Sequence, residues 1–176
     1  SNQISAVLVP QTSSPIFAAS PTPSCAPAVL SGIPTPNRNG LAIANAARTQ
    51  VGVTTIYDAN YSVIAYPNGD VPIERGVCTD VVIRAFRNIG VDLQVSVHED
   101  MTANFSVYPK DWGLTRTDPN IDHRRVPNLM KYFERKGKAL PIASSYIPGD
   151  VVAWRLSEAG WMTHIGVVSS ELVPCV

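Results

Sequence analysis

The chain predicts one domain that mixes α-helices with a C-terminal β-hairpin, preceded by a leader with little to bury. Three observations carry this. Apolar residues recur at helical spacing from about position 41 to 137, the period becomes that of strands after Pro148, and prolines crowd the first 40 residues. A length of 176 residues fits one domain, and 45% apolar residues are enough to build its core.

Residues 1–40 hold Pro10, Pro15, Pro21, Pro23, Pro27, Pro34 and Pro36 among Ser, Thr and Ala. Proline offers no N–H to a helix and the small side chains bury little, so an extended or disordered leader is expected. The chain opens on Ser1-Asn2 rather than Met, which reads as a processed or trimmed end; tethers of this kind often follow a cleaved signal peptide.

The globular part is expected over 41–176. Leu41, Ala44, Ala47 and Val51 share a helical face, and Gly52 can stop that helix. Tyr57, Tyr61 and Tyr66 surround a Pro67-Asn68-Gly69-Asp70 turn. The clearest helix starts at Cys78, where Cys78, Val81, Val82, Ala85, Phe86 and Ile89 form one stripe and Gly90 suits C′. A short helix over about 95–106 carries His98, and 107–126 reads as a loop. Pro127 then opens a helix that buries Leu129, Met130 and Phe133 and ends at Gly137. Pro148-Gly149-Asp150 turns into a strand over 151–156. Residues 157–160 form the hairpin loop, and 162–169 the return strand, with Met162, His164, Gly166 and Val168 on one face.

Fourteen basic residues balance fourteen acidic ones. A zero net charge argues against general nucleic-acid binding and gives no attraction to an anionic membrane. No apolar run reaches the roughly 18–20 residues that span a bilayer. Of the three cysteines, Cys25 lies in the proline-rich stretch and Cys175 one residue from the end. A Cys25–Cys175 bridge would suit an exported protein, but would require two flexible segments to meet.

Cys78 is the cysteine with a chemical setting. A helix N-terminus carries partial positive charge and unpaired N–H groups, which favour a thiolate nucleophile and can hold an oxyanion. A histidine nearby can form the ion pair and later protonate a leaving amine. Spacing alone is a weak signal, because a Cys and a His about ninety residues apart are common.

The surrounding words add more. Arg75-Gly76-Val77-Cys78-Thr79-Asp80, then Pro148-Gly149-Asp150-Val151-Val152-Ala153-Trp154, then Thr163-His164-Ile165-Gly166-Val167-Val168 resemble the NlpC-type cell-wall peptidases, which have a circularly rearranged papain-like fold. Gly69-Asp70-Val71-Pro72, Val97-His98-Glu99-Asp100-Met101 and Asn120-Ile121-Asp122-His123-Arg124-Arg125-Val126-Pro127-Asn128-Leu129 are similar to a bacterial family catalogued as domain of unknown function 1287. The resemblance runs from about Val51 to Val168.

It implies an α+β fold with the cysteine helix packed on an antiparallel sheet, Cys78 as nucleophile and His164 as general base. It implies a periplasmic or extracellular cysteine peptidase or amidase acting on peptidoglycan stem peptides, with no cofactor. Such enzymes place a third polar residue on the strand after the histidine strand. This chain stops at Val176, before such a strand, so truncation and divergence are both open. Candidate binding residues are Asp80, Arg75, Tyr57, Tyr66, His98 and His123.

Plainer readings stand beside these. Cys78 can be a buried thiol on an apolar helix face, and His164 a satisfied sheet histidine. His98-Glu99-Asp100 can cap a helix, His123-Arg124-Arg125 can be a solvated loop, Asp80 can serve the helix dipole, and Asp150 can form the turn. Trp112, Trp154 and Trp161 read as core or rim. Cys78, His98, His123 and His164 include the atoms of a zinc set, but no pair has close ligand spacing. The alternative to an enzyme is a non-catalytic module on the same scaffold that binds cell-wall peptide or a protein.

Overall fold

The structure, a computed structural model, describes residues 6–9, 37–142, 145–156 and 163–171. Within them the fold is α+β, with four α-helices and two small sheets.

Helix α1 (Arg38–Arg48) begins where Asn37 takes an extended backbone and its side chain accepts the Gly40 N–H at 2.8 Å, a normal N-cap. Its buried residues are Ile43 and Ala44. Leu41 and Val51, expected on the buried stripe, are 38% and 75% exposed. The helix starts before position 41 and stops at Arg48, so Val51 lies beyond it in a turn.

A two-residue parallel pair, β2 (Ile56–Tyr57) with β3 (Arg75–Gly76), leads into α2 (Cys78–Arg87). This helix is the centre of the domain. It packs on α1, on the sheet and on the segments that follow it. Burial therefore extends past the single expected stripe to Thr79, Asp80, Val82, Ile83, Ala85 and Phe86, while Val81 stays partly exposed.

Helix α3 (Leu93–Ala103) is capped by Asp92, whose side chain accepts the Gln94 N–H. The α-helix ends at Ala103, short of the expected 106, and a 3₁₀ turn takes Phe105–Val107; two more, Asp111–Gly113 and Asp122–Arg124, lie within the expected loop. Helix α4 (Val126–Arg135) carries Pro127 in its first turn, where a missing N–H costs little. The His98-Glu99-Asp100 run lies inside α3 rather than capping it. Asp100 ties α3 to α4 through Arg135 and Lys136, each at 2.7 Å. Burial pushes its carboxyl up, but those hydrogen bonds and the Tyr108 hydroxyl outweigh it and hold the group well below the usual carboxylate range.

The larger sheet contains β4 (Ala139–Leu140), β1 (Ala6–Val9), β5 (Val151–Trp154) and β6 (His164–Val167), in that order. Strand β1 is parallel to both neighbours, so the sheet is mixed rather than the expected antiparallel one; β5 and β6 form the expected antiparallel pair, with Val151 opposite Val167 and Trp154 opposite His164. The expected boundary at residue 40 therefore shifts. The apolar run 6–9 pairs as a strand and 37–40 cap and open α1; the rest of the expected leader, with Cys25, lies outside the described residues. So do 157–162, which include the hairpin loop, Trp161 and Met162, and so does Cys175.

One cluster forms the core: Ile43 from α1, Val82 and Phe86 from α2, Leu93 and Val97 from α3, Leu129 and Phe133 from α4, and Val151, Ala153 and Ile165 from the sheet. The Pro148-Gly149-Asp150 turn fastens the sheet to the start of α1. A Cβ at Gly149 would lie 2.2 Å from the Gly40 carbonyl oxygen, and its φ of +91° is one that glycine adopts without strain. Asp150 accepts the Ile147 N–H at 2.9 Å and so acts as the turn former. No helix of the described residues is long and apolar enough to cross a membrane.

Candidate active site

Cys78 is the first residue of α2, and Val77 before it is extended. Asp80 sets this start. Its Oδ2 accepts the Val77 N–H at 2.7 Å, which is half of a capping box; the valine side chain has no acceptor to complete it. The same carboxylate takes two hydrogen bonds from Arg124, at 2.9 Å from Nε and 3.0 Å from Nη2. Both side chains are 3% exposed. The Thr79 hydroxyl donates to the Arg124 carbonyl at 3.0 Å. The start of the cysteine helix is thus bolted to the turn at Asp122–Arg124.

The Cys78 thiol opens on a groove of about 530 Å³, walled by Tyr57, Tyr61, Trp112, Arg124, Arg125 and Thr163 among others. Backbone N–H groups of Ile165, Thr79 and Cys78 itself face the sulfur and favour its thiolate. They do not prevail. Burial pushes the thiol above its ordinary pKa, and the Asp80 carboxylate pushes the same way. Position at a helix start was expected to favour the thiolate; here desolvation outweighs it.

His164 opens β6 directly after Thr163 on the groove wall. Strand alternation sends the Ile165 side chain into the core, 2% exposed, and the His164 ring to the other face. There it packs edge-on against Trp154 with centroids 4.6 Å apart. Gly166 leaves room for that indole: a Cβ there would lie 3.3 Å from the Trp154 ring. Among the described residues the His164 ring makes no hydrogen bond, to Cys78 or to any other side chain. The structure therefore brings the backbone beside His164 to the sulfur, while the ring rests on Trp154.

The candidate binding residues separate. Tyr57, on β2, lines the groove. Arg75 pairs with Asp58 at 3.3 Å. Tyr66 packs edge-on against His98 with centroids 5.5 Å apart, and His98 Nδ1 lies 2.9 Å from Asp122 Oδ2. Burial pushes the Asp122 carboxyl up, against the His98 hydrogen bond. Asp80 is consumed by Val77 and Arg124. His123 is 1% exposed, and burial lowers its pKa to about 4. Asp122, His123 and Arg124 are all buried, so the solvated-loop reading of this run is corrected: the chain turns inward there because Arg124 follows the buried Asp80. The four atoms of the zinc reading are not gathered, and no group of three His, Cys, Asp or Glu is placed to hold a metal among the described residues.

A family described as Domain of unknown function (DUF1287) matches residues 44–174. The chain belongs to this family. An uncharacterized protein, YijF, from Escherichia coli (strain K12) is 57% identical over 132 residues, covering 73% of this chain and 63% of that protein. No solved structure matches. The match to the DUF1287 family takes in the whole groove, with Cys78, the 122–127 turn and His164.

The groove residues missed from sequence include Tyr61, Trp112 and Arg125. The signal was present in the expected loop, where a tryptophan and two adjacent arginines sit between helices. Loops held by a rigid scaffold often carry binding groups. Arg124 shows how that signal misleads, because it lines the same groove yet is committed to Asp80.

Proposed function

We propose that the protein is a cysteine peptidase or amidase of papain-like, NlpC-type architecture, exported to the periplasm or beyond, acting on amide bonds of peptidoglycan stem peptides. The observation that carries this is the placement of Cys78: a thiol at the start of a helix, ringed by backbone N–H groups, opening on a groove whose wall continues into the histidine strand. No cofactor is required.

The steps follow from that placement. The His164 ring turns off Trp154 and takes the Cys78 proton. The thiolate adds to the amide carbonyl, and N–H groups at the start of α2 hold the oxyanion. The tetrahedral adduct collapses, the C–N bond breaks and the amine leaves with the proton from His164. Water then attacks the thioester, giving its proton to His164, and the acid departs as the thiol is restored. The imidazole is indispensable here because burial holds the thiol protonated.

The test is digestion of purified muropeptides by the protein and by its Cys78→Ala variant. New fragments are expected from the first and none from the second. Equal products, or none from the unaltered protein, would sink the proposal.

A second reading is a non-catalytic module that binds cell-wall peptide or a protein in the same groove. The raised thiol pKa and the resting place of His164 on Trp154 favour it. Thiol labelling with iodoacetamide separates the two. Labelling of Cys78 at neutral pH that falls on His164→Ala supports the enzyme; an inert thiol indifferent to that change supports the binder.

A further inference from the structure

A groove that presents a nucleophile must also hold the rest of the substrate, and one cation in it has no task. Arg125 lines the groove immediately before α4. Arg124 beside it is locked on Asp80, and Arg75 near the groove is paired with Asp58. Among the described residues Arg125 has neither an ion-pair partner nor a hydrogen-bond acceptor. Its Nη1 is shut away from solvent with nothing to donate to. A charged donor in that position is expensive to leave unmet.

Trp112 is a separate observation at the same place. Its indole is 64% exposed in the groove wall, and the Arg125 guanidinium carbon lies 4.6 Å from the ring centroid. Its φ is +61°, a left-handed conformation that disfavours a bulky residue. Strain of this kind persists where the surroundings impose it, and it concentrates at binding sites. Asp111 next to it forms no ion pair with the arginine. The indole can support the cation through its face while the guanidinium keeps N–H groups for another partner.

We propose that Arg125, supported by Trp112, receives a carboxylate of the substrate and so determines which peptides the groove accepts. This rests on the groove being the substrate site. A carboxylate fits better than a phosphate. The Nε–Nη2 edge of the guanidinium, which unlike Nη1 is not shut away, matches a planar carboxylate with two parallel hydrogen bonds. The groove has no second uncommitted guanidinium, and tyrosine, valine and proline side chains make up much of its remaining wall, so a dianion would leave charge unmatched.

The experiment is calorimetric titration of the Cys78→Ser protein, which cannot turn over. The probes are a peptidoglycan stem tripeptide with free carboxylates and the same tripeptide with those groups converted to carboxamides. The free acid is expected to bind about 10- to 100-fold more tightly, as charged hydrogen bonds allow. Adding Arg125→Gln should bring that ratio close to one, chiefly by weakening the free acid, with a far-ultraviolet circular dichroism spectrum and urea midpoint like those of the parent showing that the protein is still folded. Arg125→Lys, which keeps the charge and loses the fork, should fall between. Equal affinities in the parent protein, no binding of either peptide, or a preference that survives Arg125→Gln overturns the inference. Because the readout is binding, a preference that depends on Arg125 stands even where Cys78→Ala leaves digestion unchanged, a result that would sink hydrolysis alone.

Discussion

Replacing Asp80 with alanine tests what holds the Cys78 helix in place. The carboxylate accepts three hydrogen bonds, one from the Val77 N–H and two from the Arg124 guanidinium. With both side chains 3% exposed, Asp80→Ala leaves Arg124 charged and without its partner in the interior. Breaking a buried pair in this way costs about 3–5 kcal/mol, and losing a helix cap about 1 kcal/mol more. The sum is a large part of the roughly 5–15 kcal/mol that keeps a domain folded. The pair itself is a different quantity. Substituting both partners with apolar residues of similar size is often close to neutral, so Asp80→Ala/Arg124→Met is expected to regain most of what Asp80→Ala loses. The assay is equilibrium urea unfolding followed by far-ultraviolet circular dichroism for the two single variants and the double. A coupling energy of about 2 kcal/mol or more is expected. Strictly additive losses would refute the reasoning, since they would mean that the pair does not hold α2 to the turn at 122–124.

Two further outcomes follow from the same region and from β6. Burial lowers the pKa of His123 to about 4 from an ordinary 6.5. The unfolded chain therefore binds a proton that the folded chain refuses between those values. The stability this group confers is full above pH 6.5 and is lost as pH falls to 4, by about 3 kcal/mol in total. Asp122, whose pKa is raised, acts in the opposite sense. Urea titrations across that window should show a flatter profile for His123→Gln, and an unchanged slope would remove His123 as the cause. For Gly166→Ala, the added Cβ presses on the Trp154 ring that supports His164. With three histidines in the chain, proton NMR should show the His164 ring signals moving while those of His98 and His123 stay; a uniform response would show that the indole does not position His164.

Much of the fold was legible because local chemistry and packing agree. The 78–89 stripe, Pro127 at a helix start and the hairpin after Pro148 are signals that tertiary structure reinforces. The errors arose where it overrides them. Leu41 and Val51 fit a helical period, but α1 turns Ile43 and Ala44 to the core. The run at 6–9 was hidden by the prolines after it, and its pairing with β5 is a contact across more than 140 positions that no local pattern announces. At the site, Cys78 and the histidine strand were readable from their flanking words. Arg125 and Trp112 were not, because a free arginine differs from a committed one only through a partner elsewhere in the chain. Asp122-His123-Arg124 looked like a polar loop for the same reason: Asp80 and His98, which account for its burial, lie 44 and 24 positions away.

The thiol shows what a helix start can and cannot do. The dipole contributes about 0.3–1 kcal/mol to a nearby anion, and up to about 2 kcal/mol when partly buried. Withdrawing a charge from water costs several kcal/mol even after the protein relaxes. With the Asp80 carboxylate adding repulsion, the balance at Cys78 falls on the side of the neutral thiol. A cation beside the sulfur would favour its ionisation. Arg124 and Arg125 do not supply it, the first being neutralised by Asp80 and the second aimed at Trp112. That leaves the His164 imidazole, one residue from the amide that faces the sulfur, and makes Trp154 the group against which it must be released. Under the proposed function, the choice between hydrolysis and binding alone turns on one rotation at the start of β6, and iodoacetamide labelling of Cys78 in the Trp154→Ala protein reads it directly. A freed imidazole should speed labelling at neutral pH, whereas a rate no faster than in the unaltered protein would leave the thiol without its base.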